Sequence, residues 1–367
     1  MSCDAVKLAV AGVQKLHPYQ PGKPIEELER ELGIENSVKL ASNENPLGPS
    51  AIALAAARES LQHMTLYPDA MGFRLKQGLS AFYSVDPSQL TLGNGSNDLL
   101  ELIARVFVNP GDELVFSQYA FIVYPLVAQA VGAKTVEVPA LNYGHDLVAM
   151  AKALTDQTKL VMLANPNNPT GTAFTRDELI EFMRAVPVNT LVVLDEAYTE
   201  YVSDTQIPNG IELLAQFPNL IVTRTFSKAW GLAGLRVGFA VASKEITDLL
   251  NRVRQPFNVN IPALAAAEAV LKDTEYLALS VEINQAGLKQ LYLGLDRLDV
   301  DYIPSFGNFV AIDLKQPAQP IYESLLSEGV IVRPVGIYKL ANHLRVSVGT
   351  PAENERFLLA LAKVLAR

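Results

Sequence analysis

The sequence predicts an α/β fold: a large domain built on a mostly parallel sheet, followed by a smaller α+β domain. Three observations carry this. Short runs rich in Val, Ile and Leu at 113–116, 135–138, 159–163, 191–194, 220–223 and 236–241 mostly lack clean alternation, as strands covered on both faces do. Helix-like stretches separate several of these runs, the pattern of a parallel sheet with crossovers. After residue 260 long helical stretches dominate and strands become few.

Each element follows from local chemistry. The first 50 residues look irregular, because HPYQPGKP (17–24) and SNENPLGPS (42–50) are dense in Pro, Gly and Asn; only 25–32 between them reads as a short helix. Residues 51–63 are Ala-rich with Pro49 just before, and 72–83 continues helical. In 97–107, Leu99, Leu100, Ile103 and Val106 with Phe107 form one helix face. Thr175-Arg-Asp-Glu178 is a capping box ahead of a helix over 179–185. Beyond 260, helices are expected at 262–271, 273–298, 320–328 and 351–365, and strands at 309–314, 330–332 and 343–348. The expected organisation is an arm over 1–45 packed with the small domain, a large domain over 46–260 and a small domain over 261–367.

The chain has 367 residues, 49% of them hydrophobic and 19% charged, with 30 Lys plus Arg against 39 Asp plus Glu. This length supports a large core, and the composition excludes collagen-like and cysteine-stapled classes. The formal net charge of −9 argues against a non-specific nucleic-acid or anionic-membrane binder. Cys3 is the only cysteine, so neither an intrachain disulfide nor a multi-cysteine zinc cluster can form. The start MSCDAVKLAV does not read as a signal peptide, and no run approaches the roughly 18 apolar residues that span a bilayer. A soluble, cytoplasmic protein is expected.

The chemistry concentrates at strand ends. In TRTFSKAWGLAGLRVG (223–238) a buried strand runs out into Ser227 and Lys228, then a Gly-rich loop carries Arg236. Open α/β sheets place their sites at such edges, and a lysine amine there can form a Schiff base if its surroundings favour the neutral form. Ser227 and Arg236 suit a phosphate. NPNNPTG (165–171) and DEAY (195–198) each follow a strand. Asp195 deep at the sheet edge needs a cationic partner, which the protonated ring nitrogen of a pyridine cofactor would supply. Asn168 and Tyr198 could bond a phenolic oxygen. GNGSN (93–97) opens a helix whose backbone amides suit phosphate. It is not a dinucleotide fingerprint, since position 98 is Asp, and a nicotinamide-dependent oxidoreductase is disfavoured. Taken singly, every one of these residues also fits an ordinary turn, cap or core position; together, in this order, they make what pyridoxal phosphate requires.

On those motifs, with NENPLGP, RQPFNVN, VRPVG and HLRVSVGT in the same order, the sequence resembles the fold-type I, pyridoxal-phosphate-dependent class I and II aminotransferases over nearly its whole length. HPYQPGKP, RQPFNVN and VRPVGIY make it similar to the histidinol-phosphate aminotransferase branch. The resemblance implies a seven-stranded sheet in the large domain. It implies Lys228 as the cofactor-bonding lysine, Asp195 on the pyridinium nitrogen, and Asn168 and Tyr198 on the 3-oxygen. Ser96, Asn97, Ser227 and Arg236 would take the cofactor phosphate, and Phe121 would face the ring where some relatives carry Tyr. Tyr67 would reach the cofactor phosphate of a neighbouring subunit, making the active unit a homodimer. Arg345 would bind the substrate carboxylate, with Tyr19, Asn43 and Arg333 serving the substrate phosphate; a surface ion pair for Arg333, an arm anchor for Tyr19 and a turn cap for Asn43 stay open. The implied activity is ping-pong transamination between histidinol phosphate with 2-oxoglutarate and imidazole-acetol phosphate with glutamate, in histidine biosynthesis. An aromatic or broad-specificity aminotransferase, a threonine-phosphate decarboxylase of the same fold and a non-catalytic cofactor binder remain alternatives.

Overall fold

The structure is a computed structural model and describes residues 3–14, 16 and 22–366. Its main sheet has seven strands in the order Leu90–Gly93, Gly238–Val241, Leu220–Thr225, Leu191–Asp195, Thr158–Ala164, Glu113–Ser117, Lys134–Val138. All run parallel except Gly238–Val241, which pairs antiparallel with both neighbours. The expected strands are all present, and their lack of alternation has a plain cause. Val192, Leu194 and Val222 point into a core on one face, while Val193 and Ile221 point into a second core on the other. Strand order reverses between Glu113–Ser117 and Thr158–Ala164, and ligand crevices open at the carboxyl ends of strands at such a reversal.

Helix Ser96–Phe107 starts at a Gly95 cap in a positive-φ conformation. Helix Arg176–Ala185 carries the capping box formed by Thr175 and Glu178. Ile25–Leu32 and Pro351–Leu365 occupy the expected ranges. Residues 51–63 divide into helix Ala51–Ser60 and one tight turn, Leu61–His63. The edge strand Leu90–Gly93 was not legible, being four residues with a terminal glycine. The strand expected over 236–241 begins at Gly238, because Arg236 sits at φ 56° in the left-handed region, where a ladder cannot continue.

The smaller unit is a four-stranded antiparallel sheet, Arg333–Pro334, His343–Ser347, Phe309–Asp313, Asp301–Ile303. Helices Thr274–Arg297, Ala318–Ser327 and Pro351–Leu365 pack on it through Leu291, Leu295, Leu325, Phe357 and Leu361. The strand expected at 330–332 divides between two sheets. Val330–Ile331 pairs in parallel with Val38–Lys39 of the N-terminal arm, and the chain then crosses at Val332 so that Arg333–Pro334 pairs with Arg345 and Leu344. Helix Ile261–Val270, expected with the small domain, buries Ala263, Ala266, Ala267 and Val270 in the core of the large sheet. The break expected at 260/261 therefore falls one helix before the chain leaves that core.

A buried ion pair ties the central strands together behind the crevice. Arg224 donates from Nη2 and Nε to Glu196 Oε2 at 2.6 and 2.9 Å, with side chains 5% and 0% exposed. Glu196 Oε1 accepts from Gly210 N at 2.6 Å, and Arg224 Nη2 also donates to Asn209 Oδ1 at 2.7 Å. Removing one member of such a pair strands the other charge in the core. Arg224→Met is expected to lower stability by about 3–5 kcal/mol, read as a fall in the urea midpoint; Arg224→Met with Glu196→Leu is expected to recover much of it.

Candidate active site

At the carboxyl ends of the parallel strands lies a cavity of about 180 Å³. Strand Leu220–Thr225 ends at its wall. Phe226 and Ala229 turn into the core, and Gly231 N donates to Lys228 O at 2.9 Å, closing a turn that directs Lys228 to the cavity. Its Nζ donates to Ser42 O at 3.1 Å and lies 5.7 Å from the centre of the Tyr198 ring. Desolvation, aided by the positive charges of Arg345 and Arg236, lowers the amine to about 7; Glu44 and Asp195 oppose this only in part. A lysine in that condition is a nucleophile and a proton carrier near neutrality.

Asp195 ends strand Leu191–Asp195 and is 4% exposed. Its partners are neutral: Thr223 Oγ1 donates to Oδ1 and the Tyr124 hydroxyl to Oδ2, each at 3.2 Å. Desolvation raises the acid to about 6, against the lowering effect of these hydrogen bonds. A carboxylate so buried beside a cavity is matched by a cation entering that cavity.

Tyr198 and Asn168 stand beside it. The Tyr198 oxygen accepts from Asn43 Nδ2 at 3.0 Å and from Asn168 Nδ2 at 3.1 Å, so its own proton is directed away from both. Desolvation pushes this phenol up to about 12, keeping it protonated. Arg345 donates from Nη1 to Asn168 Oδ1 and from Nη2 to Ala41 O, both at 2.6 Å, while its buried Nε has no partner. Arg333 faces Arg345 in strand register, and both line the cavity. Two guanidinium groups on adjacent strands repel unless an anion lies with them.

The opposite end of the cavity is built for a second anion. Ser96 and Asn97 begin helix Ser96–Phe107, where unpaired backbone N–H groups face out. Arg236 Nη1 donates to Ser227 Oγ at 3.3 Å and Ala233 O at 3.1 Å. A Cβ on Gly95 would strike the Arg236 guanidinium, and one on Gly238 would lie 2.8 Å from Ser96 N, so both glycines hold this cradle open. Phe121 lines the wall between the two ends. Anion cradle, flat aromatic wall, buried uncompensated acid, tyrosine hydroxyl and depressed lysine all fit a phosphorylated pyridine aldehyde.

Of the sequence-predicted residues, Ser96, Asn97, Phe121, Asn168, Asp195, Tyr198, Ser227, Lys228, Arg236, Asn43, Arg333 and Arg345 meet at this cavity. Asn43 spends its amide nitrogen on Tyr198 and accepts from Ser347 Oγ at 3.0 Å, rather than presenting an open side chain. Tyr67 is elsewhere in its own chain: 81% exposed, stacked on Phe257 at 4.7 Å, and lining a second cavity of about 530 Å³ with Asp69, Arg74 and Glu268. Tyr19 lies outside the described residues. Sequence reasoning missed Tyr124, Thr223 and Tyr338. Thr223 carried a signal, being a polar residue inside an apolar strand; that it is the register partner of Asp195 is visible only in the fold. Tyr124 carried none, since a tyrosine in a helix reads as core.

The model of the family described as aminotransferase class I and II matches residues 35–361. The chain is 58% identical to histidinol-phosphate aminotransferase 2 of Pseudomonas fluorescens, over 100% of both chains. It is 56% identical to histidinol-phosphate aminotransferase 2 of Pasteurella multocida, over 98% of this chain and 99% of that one. The crystal structure of histidinol-phosphate aminotransferase from Sinorhizobium meliloti in complex with pyridoxal-5'-phosphate matches with a TM-score of 0.90 at 30% identity, covering 97% of each chain. The chain belongs to the class I and II aminotransferase family, in its histidinol-phosphate aminotransferase branch.

The folded Lys228 binds its proton less tightly than the unfolded lysine. Between about pH 7 and the ordinary lysine range near 10.4 the unfolded chain holds a proton that the folded one lacks, so this group favours folding increasingly as pH rises. In the protein without cofactor, labelling of Lys228 by an amine reagent is expected to be half-maximal near pH 7, against about 10.4 for surface lysines, when followed by peptide mapping. Arg345→Ala is expected to move that midpoint upward.

Proposed function

We propose that this chain catalyses reversible, pyridoxal-phosphate-dependent transamination between L-histidinol phosphate with 2-oxoglutarate and imidazole-acetol phosphate with L-glutamate, in histidine biosynthesis. The observation that carries the reading is the convergence of Lys228 and Asp195 on one cavity that holds an anion cradle at one end and the Arg333–Arg345 pair at the other. When bound, the cofactor supplies an aldehyde for the substrate amine and a protonated ring that withdraws electrons from the substrate α-carbon.

The protein's own groups do the rest. Lys228 would hold the cofactor through Nζ. With its amine lowered to about 7, Lys228 Nζ is partly neutral near pH 7 and would serve as the base that takes, and the acid that returns, the proton of the substrate α-carbon. The Asp195 carboxylate would accept from the ring nitrogen. Tyr198 directs its hydroxyl proton to the 3-oxygen, beside Asn168. Ser96, Asn97, Ser227 and Arg236 would hold the cofactor phosphate, and Phe121 would face the ring. Arg345 and Arg333 bind the substrate's anionic group; a carboxylate and a phosphate are both acceptors for a guanidinium fork, so one site serves both substrates of a ping-pong cycle. Asn43 fixes Tyr198 at the same time.

The active unit is a homodimer. Tyr67 is remote from its own cavity and exposed among Met64, Leu66, Met71 and Phe73, an apolar surface that a second copy would cover while bringing Tyr67 to the partner's cofactor phosphate. Among the described residues no helix is long and apolar enough to cross a membrane, and we place the enzyme in the cytoplasm.

With cofactor bound, the protein is expected to absorb in the visible, and Lys228→Ala to lose that band. Histidinol phosphate and glutamate should each discharge the band faster than phenylalanine, tyrosine, aspartate or phosphothreonine; carbon dioxide released from phosphothreonine would replace this function with a decarboxylase. Arg345→Ala should slow both half-reactions about a hundredfold. Mixing Lys228→Ala subunits with Tyr67→Ala subunits should restore activity that neither has alone, because one site in each hybrid dimer is then complete; no restoration would place Tyr67 outside the partner's site.

A further inference from the structure

Asp195 is held from behind the cavity wall as well as along its strand. The Tyr124 hydroxyl donates to Oδ2 at 3.2 Å, while Thr223 occupies Oδ1. Tyr124 has no exposed surface and stands outside the residues that line the cavity, on the first turn of helix Val123–Ala130. Its ring meets Phe121 edge-on at 5.9 Å between centres. One side chain thus touches both the acid proposed for the cofactor nitrogen and the aromatic proposed for the cofactor face. Other charged and titratable groups near Asp195 include its chain neighbour Glu196, paired with Arg224, together with Tyr198 and Lys228, and Tyr338 acts on both Tyr124 and Tyr198.

The geometry points to Tyr124 as a positioning residue for the transamination proposed above: its hydroxyl orients the Asp195 carboxylate and limits how strongly that carboxylate draws the proton of the cofactor ring nitrogen. A carboxylate that already accepts a hydrogen bond is a weaker base toward its next partner. With Tyr124 donating, Asp195 accepts from the ring nitrogen without removing its proton, and the positive charge stays on the ring. Thr223 cannot substitute, since its bond is to the other oxygen. Burial and the adjoining carboxylate push the Tyr124 phenol well above its ordinary range, so it is a donor at neutral pH.

The test uses the holoenzyme carrying cofactor labelled with 15N at the ring nitrogen, as wild type, as Tyr124→Phe and with 3-fluorotyrosine in place of Tyr124. In Tyr124→Phe the 15N resonance is expected to move from the protonated toward the unprotonated position. Its kcat is expected to fall about tenfold with KM within about twofold, at unchanged circular dichroism. The fluorinated phenol is a stronger donor and should move the resonance the opposite way, a sign that loss of packing cannot produce. An unchanged resonance and kcat in Tyr124→Phe would make Tyr124 a packing residue and overturn the inference, as would a rise in KM alone. Should Tyr124→Phe fail to fold, an unmoved resonance in the fluorinated protein overturns it equally. A wild-type protein that neither takes up the cofactor nor transaminates removes the functional reading, and the inference with it.

Discussion

A carboxylate at the end of a buried strand, whose hydrogen-bond partners are neutral (the Thr223 and Tyr124 hydroxyls and the Ala197 backbone), is the constraint around which this molecule is arranged. Asp195 is too deep to be solvated and too weakly compensated to ionise freely, so its desolvation raises it to about 6. Such a group is tolerable where a cation completes it, and the cavity in front of it admits one. The remaining features follow from placing a ring there: a lysine within reach of the ring's aldehyde, donors for the ring oxygen, an aromatic against its face, and an anion cradle at its far end. The Glu196–Arg224 pair on the opposite face of the same strands fixes the two strand ends that carry Asp195 and Lys228.

The two halves of the cavity come from different parts of the fold. The parallel sheet supplies lysine, acid and cradle. The small sheet supplies Arg333 and Arg345, and the arm supplies Asn43. The halves meet through polar contacts made at the site itself: Arg345 to Asn168, and Asn43 to both Tyr198 and Ser347. An anion arriving at Arg345 therefore competes with Asn168, whose amide also bonds the tyrosine beside the cofactor position. On the proposed reading, substrate binding and cofactor hydrogen bonding share one network.

The sheet was legible in sequence because its central strands are covered on both faces and read as unbroken apolar runs. The site was legible because strand ends concentrate unusual polar residues, as SKAWGLAGLR, NPNNPTG and DEAY do. Four-residue edge strand Leu90–Gly93 and the division at Val332 were not, since both depend on which distant strand lies alongside. The same limit hid Tyr124: its spacing in the helix is that of any core aromatic, and only the approach of another strand turns it into a partner of Asp195. The change of rhythm after residue 260 groups helix Ile261–Val270 with the small domain, whereas its alanines fit the crowded groove against Ala51–Ser60.

The pairing of Val38–Lys39 with Val330–Ile331 also orders events during synthesis of the chain. Asn43 meets Tyr198 155 positions on, but its partner Ser347 is 304 positions away, so that second contact waits until nearly all of the polypeptide has left the ribosome. Closing so long a loop comes late in folding. The anion cradle at Ser96 and Arg236 can assemble without that pairing, whereas the end of the cavity that holds Arg333 and Arg345 is finished last, when the arm and the small sheet meet.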